Sequence, residues 1–304
     1  MMNVNEIRGF HIELTNMCTL KCPGCARTRF IEQWPNHWKN HNLDVDDLLK
    51  FLDIDLSGKI IHLSGNYGDP IYHPFFLDIL QELKNQKALL SITTNGSYKS
   101  KQWWEKVANL LSCDDHITFS VDGVPENFFK YRVNGDWNSI QQAMEVVSAS
   151  ECKSMWKYIV FEYNKDDIND AKTLCKKIGI TEFRKVHSDR FDNQTDEFRP
   201  INVDLLGDRF SKQSQFKKIK DFSSSINPKC ASQKEHFISA DGYYSPCCYV
   251  ADHRFYYKTE FGKNRSQYNI KDNTLTQILK KPGCLQFYSN LQDIPACKFN
   301  CPKT

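Results

Sequence analysis

The sequence lacks the features that would place a protein in or across a membrane. None of its apolar runs approaches the roughly 18 residues that a membrane-spanning helix needs. Its first residues, MMNVNEIRGFHIEL, lack the long apolar core of a signal peptide. Internal repeats and low-complexity tracts are also missing. We therefore expect a cytoplasmic protein without a membrane partner.

The chain also lacks a surplus of charge of one sign. Its 304 residues include 40 Lys and Arg and 37 Asp and Glu, which gives a formal net charge of +3. This balance does not favour a nucleic-acid partner. The hydrophobic fraction of 40% and the charged fraction of 25% are ordinary for a globular protein. The length suits one large domain, or one domain of about 200 residues with a smaller one.

Cysteine, in contrast, is unusually frequent, with 12 residues in the chain. Without a signal peptide, this number indicates metal or redox chemistry rather than disulfides. Three cysteines lie within CTLKCPGC, and six lie from residue 230 onward. Cys113, Cys152 and Cys175 lie between these groups, and we interpret them as ordinary small core residues.

Strand and helix patterns alternate over the first 186 residues. The predicted strands are 9–14, 59–64, 88–95, 116–123, 156–164 and 181–186. The predicted helices are 43–54, 74–85, 101–112, 137–150 and 168–179. Strict alternation predicts an α/β fold of parallel strands joined by right-handed helical crossovers. Six such units could form an open doubly wound sheet or a partial barrel, and periodicity alone does not choose between them.

Polar segments directly follow the first five predicted strands. They are TNMCTLKCPGC, GNYGDP, TNGS, VDG and YNKDD. Ligands bind at the carboxyl ends of parallel strands, so we expect these segments to share one site. Asp166 and the aromatic loop FIEQWPNHWKNHN at 30–42 are expected to line the same cavity.

The second part of the chain has a different pattern. Residues 187–229 are polar and are interpreted as a bridging segment. Short extended pieces then surround DGYYSPCCY, a helix is predicted at 275–283, and the tail contains CKFNC. The predicted domains are therefore 1–186 and 230–304, with the bridge between them.

The first cysteine group has the spacing Cys-x3-Cys-x2-Cys at Cys18, Cys22 and Cys25. Thiolates are suited to zinc, copper(I) or iron–sulfur clusters. Three of them leave one coordination position open, as a catalytic metal requires, whereas a structural site is closed. The alternative is a zinc site completed by His11 or His37.

This motif, placed after the first strand of a six-unit βα chain, resembles that of the radical S-adenosylmethionine (SAM) enzymes. The resemblance covers residues 8–186 and implies a partial (β/α)6 barrel similar to a TIM barrel. It also implies a 4Fe–4S cluster whose open iron binds SAM. An electron from a flavodoxin- or ferredoxin-type donor would cleave SAM, and the resulting 5'-deoxyadenosyl radical would abstract hydrogen from the substrate.

Other segments match that family by position. SGNYGDP lies where the family has a Gly-Gly-Glu-Pro-like stretch that contacts the methionine amino group, although here Asp replaces Glu and Asn-Tyr separates the glycines. SVDG resembles the fourth-strand motif that meets the ribose or carboxylate, and TTNG lies at the same edge. The residues implied to contact SAM are Gly65, Gly68, Asp69, Asn95, Ser120 and Asp122. Turn formation is the alternative for Asn95-Gly96 and Asp122-Gly123.

The second cysteine group combines two remote pairs, which would close a site with four thiolates. The stretch from Cys230 through Gly242 to Cys247 resembles the Cys-x(9–15)-Gly-x4-Cys opening of SPASM and twitch extensions, which carry auxiliary iron–sulfur clusters. The dense cysteine run of a full SPASM segment is missing, so a single auxiliary cluster is expected. Structural zinc is the alternative.

The expected auxiliary ligands are Cys230, Cys247, Cys297 and Cys301. Cys248 is expected to point elsewhere, because neighbouring side chains of an extended segment face opposite sides. Either Cys248 or Cys284 would replace a ligand that proved wrong.

The family resemblance implies the first step, cleavage of SAM, more specifically than it implies the overall reaction. The favoured reaction is oxidation of a small molecule with help from the auxiliary cluster. Modification of a ribosomal peptide, by a thioether, a carbon–carbon bond or epimerisation, is the alternative. The first strand begins near residue 9, and we expect no N-terminal peptide-binding domain. A zinc-stabilised binding module without enzymatic activity is a remote third possibility.

Overall fold

The structure is a computed structural model, and it describes residues 4–188, 191, 196–207, 226–228, 230 and 234–301. Most of the predicted bridging segment 187–229 lies outside these residues. No described helix has both the length and the apolar character needed to cross a membrane.

Six strands alternate with helices in the first part of the chain, as predicted. The strands are β1 Gly9–Ile12, β2 Ile60–Leu63, β3 Leu89–Thr94, β4 His116–Ser120, β5 Lys153–Val160 and β6 Glu182–His187. The helices are α1 Ala26–Gln33, α2 Val45–Phe51, α3 Phe76–Asn85, α4 Lys101–Leu110, α5 Trp137–Ser148 and α6 Ile168–Ile178. The pairs β1–β2, β3–β4, β4–β5 and β5–β6 are parallel, which confirms the α/β class.

Short polar side chains set the starts of several helices. Asp44 accepts the N–H of Asp47 at α2, Ser100 that of Trp103 at α4, and Asp136 that of Ser139 at α5. Each bond satisfies a backbone donor that the first helical turn leaves without a partner. Gly179 ends α6 with a φ of 93°, in the left-handed region that glycine adopts without strain.

The interpretation of residues 30–42 as a loop is wrong over its first part. Helix α1 runs through Gln33 and begins with the N–H of Arg29 donating to the carbonyl of Cys25. Aromatic packing supports this segment, because the ring of Phe30 lies 5.3 Å from that of Trp34 and 5.7 Å from that of Trp38. These aromatic side chains therefore pack on one another.

Two further strands come from the C-terminal part. β7 (Glu235–Ile238) pairs in parallel with β1, and β8 (Tyr244–Ser245) pairs antiparallel with β7. The strand order is β6-β5-β4-β3-β2-β1-β7-β8. The remaining helices are α7 His253–Tyr256, α8 Glu260–Lys263, α9 Leu275–Leu279, α10 Pro282–Ser289 and α11 Pro295–Asn300. The helix predicted at 275–283 is thus two helices, because Pro282 lacks the N–H that would continue the first one.

The described backbone divides into two compact units. The first is formed by 1–17, 40–90 and 221–304, and the second by 18–39 and 91–220. The core of the first includes the fully buried rings of Phe10, Phe51 and Tyr244. The second buries Trp104 and Trp156 completely. The functional domain limits remain a prediction.

Candidate functional site

The three cysteines of the first group contact one apolar cluster in the second unit. Cys22 is buried, with 7% of its surface exposed, and Cys18 and Cys25 are half-buried. The cluster is completed by Leu20, Tyr131, Ile159, Phe161, Tyr163, Phe191, Phe198 and Leu206. The three sulfurs are thus the main potential metal ligands in surroundings that consist mostly of apolar side chains.

Polar N–H groups approach two of these sulfurs. The Cys18 Sγ accepts the backbone N–H of Leu20 at 3.4 Å and the Asn95 side-chain amide at 3.5 Å. The Cys22 Sγ lies 3.9 Å from Nη1 of Arg132. Burial raises the pKa of the Cys22 thiol to about 11, while the charge of Arg132 acts in the opposite direction. The N–H groups are therefore placed to stabilise thiolates, the form that binds metal.

Asp122 fixes the position of Arg132. Its carboxylate is fully buried and accepts Nε of Arg132 at 2.7 Å and the N–H of Ile159 at 2.8 Å. Tyr163 donates its hydroxyl to the Asp122 carbonyl. Burial is the largest single effect and opposes the charge of Arg132, but the charges of Asp122, Cys22 and Tyr131 together with the Asp122 hydrogen bond outweigh it, so the pKa of the guanidinium lies above its ordinary value. The pair therefore places a permanent cation beside Cys22.

Within the second unit Asn95 contacts the cysteine loop directly, and Asp122 is connected to it through Arg132. Ser120 ends β4 and is 8% exposed. Asp166 is exposed. Arg132 was not predicted as a site residue, because it lies within FFKYRVNG, a segment without a motif or an apolar period.

In the first unit, the loop Ser64–Pro70 closes tightly over the end of β1. A Cβ atom on Gly68 would lie 1.9 Å from the Thr15 carbonyl oxygen, so only glycine fits there. Asp69 donates its N–H to the Met17 carbonyl at 2.9 Å and accepts that of Ile71 at 3.3 Å. The structure therefore brings Gly65, Gly68 and Asp69 together in one tightly packed turn.

Glu13 organises this loop and was also not predicted as a site residue. Its Oε1 accepts the N–H groups of Tyr67 at 2.7 Å and of Gly68 at 3.2 Å. A Cβ on Gly65 would lie 2.8 Å from the same oxygen. Burial raises the pKa of Glu13 to about 7, although the two N–H groups favour its charged form. Its sequence position, at the end of the apolar strand GFHIEL, gives no sign of these contacts.

Replacing Glu13 by glutamine is expected to remove a pH dependence of stability. The pKa of Glu13 is raised from 4.5 to about 7 in the folded chain. The contribution of Glu13 to the free energy of unfolding is therefore fully present below about pH 4.5 and is lost as the pH rises through about 7. The change amounts to roughly 3 kcal/mol. Denaturant unfolding of both proteins from about pH 5 to about pH 8 measures it. Parallel pH profiles of the free energy of unfolding would contradict this expectation.

The second cysteine group comes together within the first unit. Cys230, Cys297 and Cys301 are buried, and Cys247 is half-buried. Burial raises the pKa of Cys297 to about 12, and the thiolate charges of Cys230, Cys247 and Cys301 raise it as well. The four predicted ligands therefore lie within electrostatic reach of one another.

The expectation that Cys248 points away from Cys247 is wrong. Residues 248–250 form a turn rather than a strand, so the alternation of an extended chain does not apply. The Cys248 thiol donates to Cys247 and lowers the pKa of Cys247 to about 7, while its own pKa is raised. Tyr249 also donates its N–H to the Cys247 Sγ at 3.4 Å. Cys284 is 1% exposed and hydrogen-bonds with Tyr244.

In the part of the chain that the structure describes, no three Cys, His, Asp or Glu side chains surround one point as a single-ion site would require. The thiolates of a four-iron cluster are spread over different irons. His11, a ligand in the zinc alternative, has its Nε2 within 2.8 Å of the Ser64 carbonyl oxygen.

Comparison with known families identifies two regions. The model of the radical SAM superfamily matches residues 12–175, and that of SPASM, an iron–sulfur cluster-binding domain, matches residues 230–302. Both matches agree with the predicted order of an N-terminal radical SAM part and a C-terminal auxiliary part.

Curated relatives match parts of the chain. The "Tungsten-containing aldehyde ferredoxin oxidoreductase cofactor-modifying protein" of Pyrococcus furiosus is 31% identical over 121 residues, which are 38% of this chain. The "Probable GTP 3',8-cyclase" of Methanococcus vannielii is 23% identical over 177 residues, or 57% of this chain. The chain spans 31% and 57% of the length of these two relatives.

The fold is also similar to that of a solved protein structure. Streptococcus suis SuiB superposes with a TM-score of 0.64 at 12% sequence identity, over 93% of this chain and 68% of SuiB. At this identity the likeness concerns the fold alone. It confirms the predicted fold class, a partial α/β barrel of parallel strands with a small C-terminal domain.

Proposed function

Because the chain belongs to the radical SAM superfamily and carries a C-terminal SPASM-like domain, we propose that Cys18, Cys22 and Cys25 hold its catalytic 4Fe–4S cluster. The cofactors of this enzyme are that cluster, SAM and an auxiliary iron–sulfur cluster. The observation that carries the assignment is the meeting of three cysteines at one apolar cluster, with N–H donors at two of the sulfurs.

The donor chemistry fits a four-iron cluster with one open position. Three soft thiolates bind three irons, and no fourth protein ligand is assigned to the loop. When bound, the cluster with SAM supplies a 5'-deoxyadenosyl radical, and the auxiliary cluster supplies an acceptor for one electron. The apolar side chains around the loop keep water away from the reacting atoms.

We assign the binding of SAM to two groups of residues. Gly65, Gly68 and Asp69 form the turn that would receive the methionine amino group, and Glu13 holds that turn. Ser120 ends β4 and would face the remaining polar groups of SAM, and Asn95, which directly follows β3, would reach them through the amide N–H that does not point to Cys18. Both carboxylate oxygens of Asp122 accept hydrogen bonds from the protein, so Asp122 would act by positioning Arg132.

Cys230, Cys247, Cys297 and Cys301 are the proposed ligands of the auxiliary cluster. The proposal is supported by the charge effects of Cys230, Cys247 and Cys301 on Cys297 within the first unit. Four thiolates would leave no iron open, which suits electron transfer or a structural role rather than binding of SAM. Cys248 and Cys284 are outside the proposed set.

The reaction that these sites support is the oxidation of a small organic molecule, by loss of a hydrogen atom, an electron and a proton. The auxiliary site would take the electron, and a flavodoxin- or ferredoxin-type protein would reduce the catalytic site. The GTP cyclase relative, named for a small-molecule substrate, supports this substrate class. None of the twelve described cysteines forms a disulfide bond, so a reducing compartment such as the cytoplasm is the proposed location.

Peptide modification is the second candidate. It is favoured by one observation, since the fold resembles that of SuiB bound to its precursor peptide SuiA, with a TM-score of 0.63. The two candidates differ in the substrate from which hydrogen is removed, so a substrate screen can separate them.

The reconstituted enzyme, kept anaerobic, is expected to be brown and to contain about eight irons per chain. With dithionite and SAM it should release 5'-deoxyadenosine. A small-molecule substrate should accelerate this release, and deuterium from that substrate should appear in the product. Acceleration by peptides alone would favour the second candidate. A colourless protein with two zinc ions would contradict both.

A further inference from the structure

The proposed cluster loop receives two side-chain donors that ligation itself does not require. Nδ2 of Asn95 lies 3.5 Å from the Cys18 Sγ, and Nη1 of Arg132 lies 3.9 Å from the Cys22 Sγ. These donors follow β3 and β4, far in sequence from the cysteines. Tertiary structure therefore directs one donor to each of two sulfurs.

Asn95 is held in a fixed orientation. It is 4% exposed, and its Oδ1 accepts the N–H of Ser97 at 2.9 Å. With its oxygen engaged in this way, the amide directs its NH2 group to the Cys18 Sγ. An isosteric change to aspartate would keep the acceptor for Ser97 and replace the donor at the sulfur.

Arg132 is held equally firmly. Asp122 binds its Nε, which leaves Nη1 free to approach Cys22. The side chains of Arg132 and Asp122 are 14% and 0% exposed, so water screens this ion pair weakly. The guanidinium of Arg132 contacts both the Asp122 carboxylate and the Cys22 Sγ. The sulfur thus faces the positive end of a buried ion pair.

We propose that Arg132 and Asn95 raise the reduction potential of the catalytic cluster, an inference that rests on the proposed ligands Cys18, Cys22 and Cys25. Reduction adds one electron, and part of the added negative charge resides on the sulfurs. A guanidinium and an amide N–H stabilise that charge more in the reduced than in the oxidised form. Arg132 and Asn95 are therefore positioning residues that ease the electron uptake on which cleavage of SAM depends.

Redox titration of the holoenzyme, followed by electron paramagnetic resonance, tests this inference. The catalytic cluster is recognised as the signal that changes when SAM is added. At a fixed potential, Arg132→Gln is expected to lower the ratio of reduced to oxidised cluster about tenfold, which equals about 59 mV for one electron. Asn95→Asp should also shift the potential downward, because it replaces the donor by a negatively charged oxygen. Arg132→Lys keeps a cation and should shift it less than Arg132→Gln.

Arg184→Gln is the matched control. Arg184 also pairs with a carboxylate in the second unit, at 2.9 Å from Glu182, but its side chain is 55% exposed. Its removal should leave the potential unchanged. Arg132→Gln and Asn95→Asp proteins with full iron content and the wild-type potential would overturn the inference. If Arg132→Gln fails to fold, the sign of the Asn95→Asp shift decides. Failure of the proposed function has a different signature, since the wild-type enzyme would then show no SAM-sensitive cluster signal.

Discussion

Replacing Cys22 by alanine is expected to remove about four of the eight irons per chain and to abolish release of 5'-deoxyadenosine. Cys22 lies within the apolar cluster, with 7% of its surface exposed. Its Sγ is in polar contact with the side chain of Arg132. Two thiolates would then have to hold four irons, and Arg132 would lose the sulfur beside it while keeping its ion pair with Asp122. Iron analysis and chromatography of the products measure both effects.

Cys152→Ala provides the matched control for this experiment. Cys152 is also buried, with 3% of its surface exposed, and its thiol donates to a backbone carbonyl at 3.4 Å. This variant should keep all irons and the wild-type rate of 5'-deoxyadenosine release, apart from a small loss of packing. Normal product release by Cys22→Ala would refute the assignment of Cys22 as a ligand.

Replacing Cys297 by alanine is expected to remove the irons of the auxiliary site and to destabilise the C-terminal part of the chain. Its neighbours Cys230, Cys247 and Cys301 would remain as three thiolates. Metal binding and local folding are coupled in small cysteine-rich segments, so loss of the metal should lower the melting temperature. The catalytic cluster should keep about four irons and still cleave SAM. Iron analysis, thermal unfolding and the product assay separate these effects.

Cys284→Ala is the control for the auxiliary site. Cys284 is more completely buried than Cys297, at 1% against 7%, and it hydrogen-bonds with Tyr244. We expect this variant to retain all irons. If Cys284→Ala lost the auxiliary irons while Cys297→Ala kept them, Cys284 would replace Cys297 in the ligand set.

The sequence was sufficient to predict the alternation of β1 to β6 with their helices, because buried parallel strands and amphipathic helices have distinct local patterns. It did not predict α1, whose residues ARTRFIEQ lack an apolar period and bury only Thr28. It also did not predict the pairing of β7 with β1. That pairing joins Gly9 to Glu235, and no local pattern records a partner so distant in sequence.

The residues of the candidate site likewise divide into those that the sequence predicts and those that depend on tertiary contacts. Cysteine spacing together with the family resemblance pointed to the seven proposed cysteine ligands, and position relative to the family motifs pointed to Gly68 and Asn95. Glu13 and Arg132 were not predicted as site residues, because their roles depend on tertiary contacts with residues distant in sequence. A glutamate at the end of an apolar strand becomes informative only when two loop N–H groups are seen to meet its oxygen. The turn at Cys248 likewise depends on contacts that an extended-chain pattern cannot represent.

The pairing of β1 with both β2 and β7 has a consequence for folding during synthesis on the ribosome. The partner for one edge of β1 is synthesised more than two hundred residues after β1 itself, at Glu235–Ile238. At typical translation rates this delay is on the order of tens of seconds. During that time the nascent chain carries an unpaired strand edge, which invites association with other chains. Truncated products that end before residue 235 would keep this open edge permanently, so we expect them to aggregate more readily than the full chain.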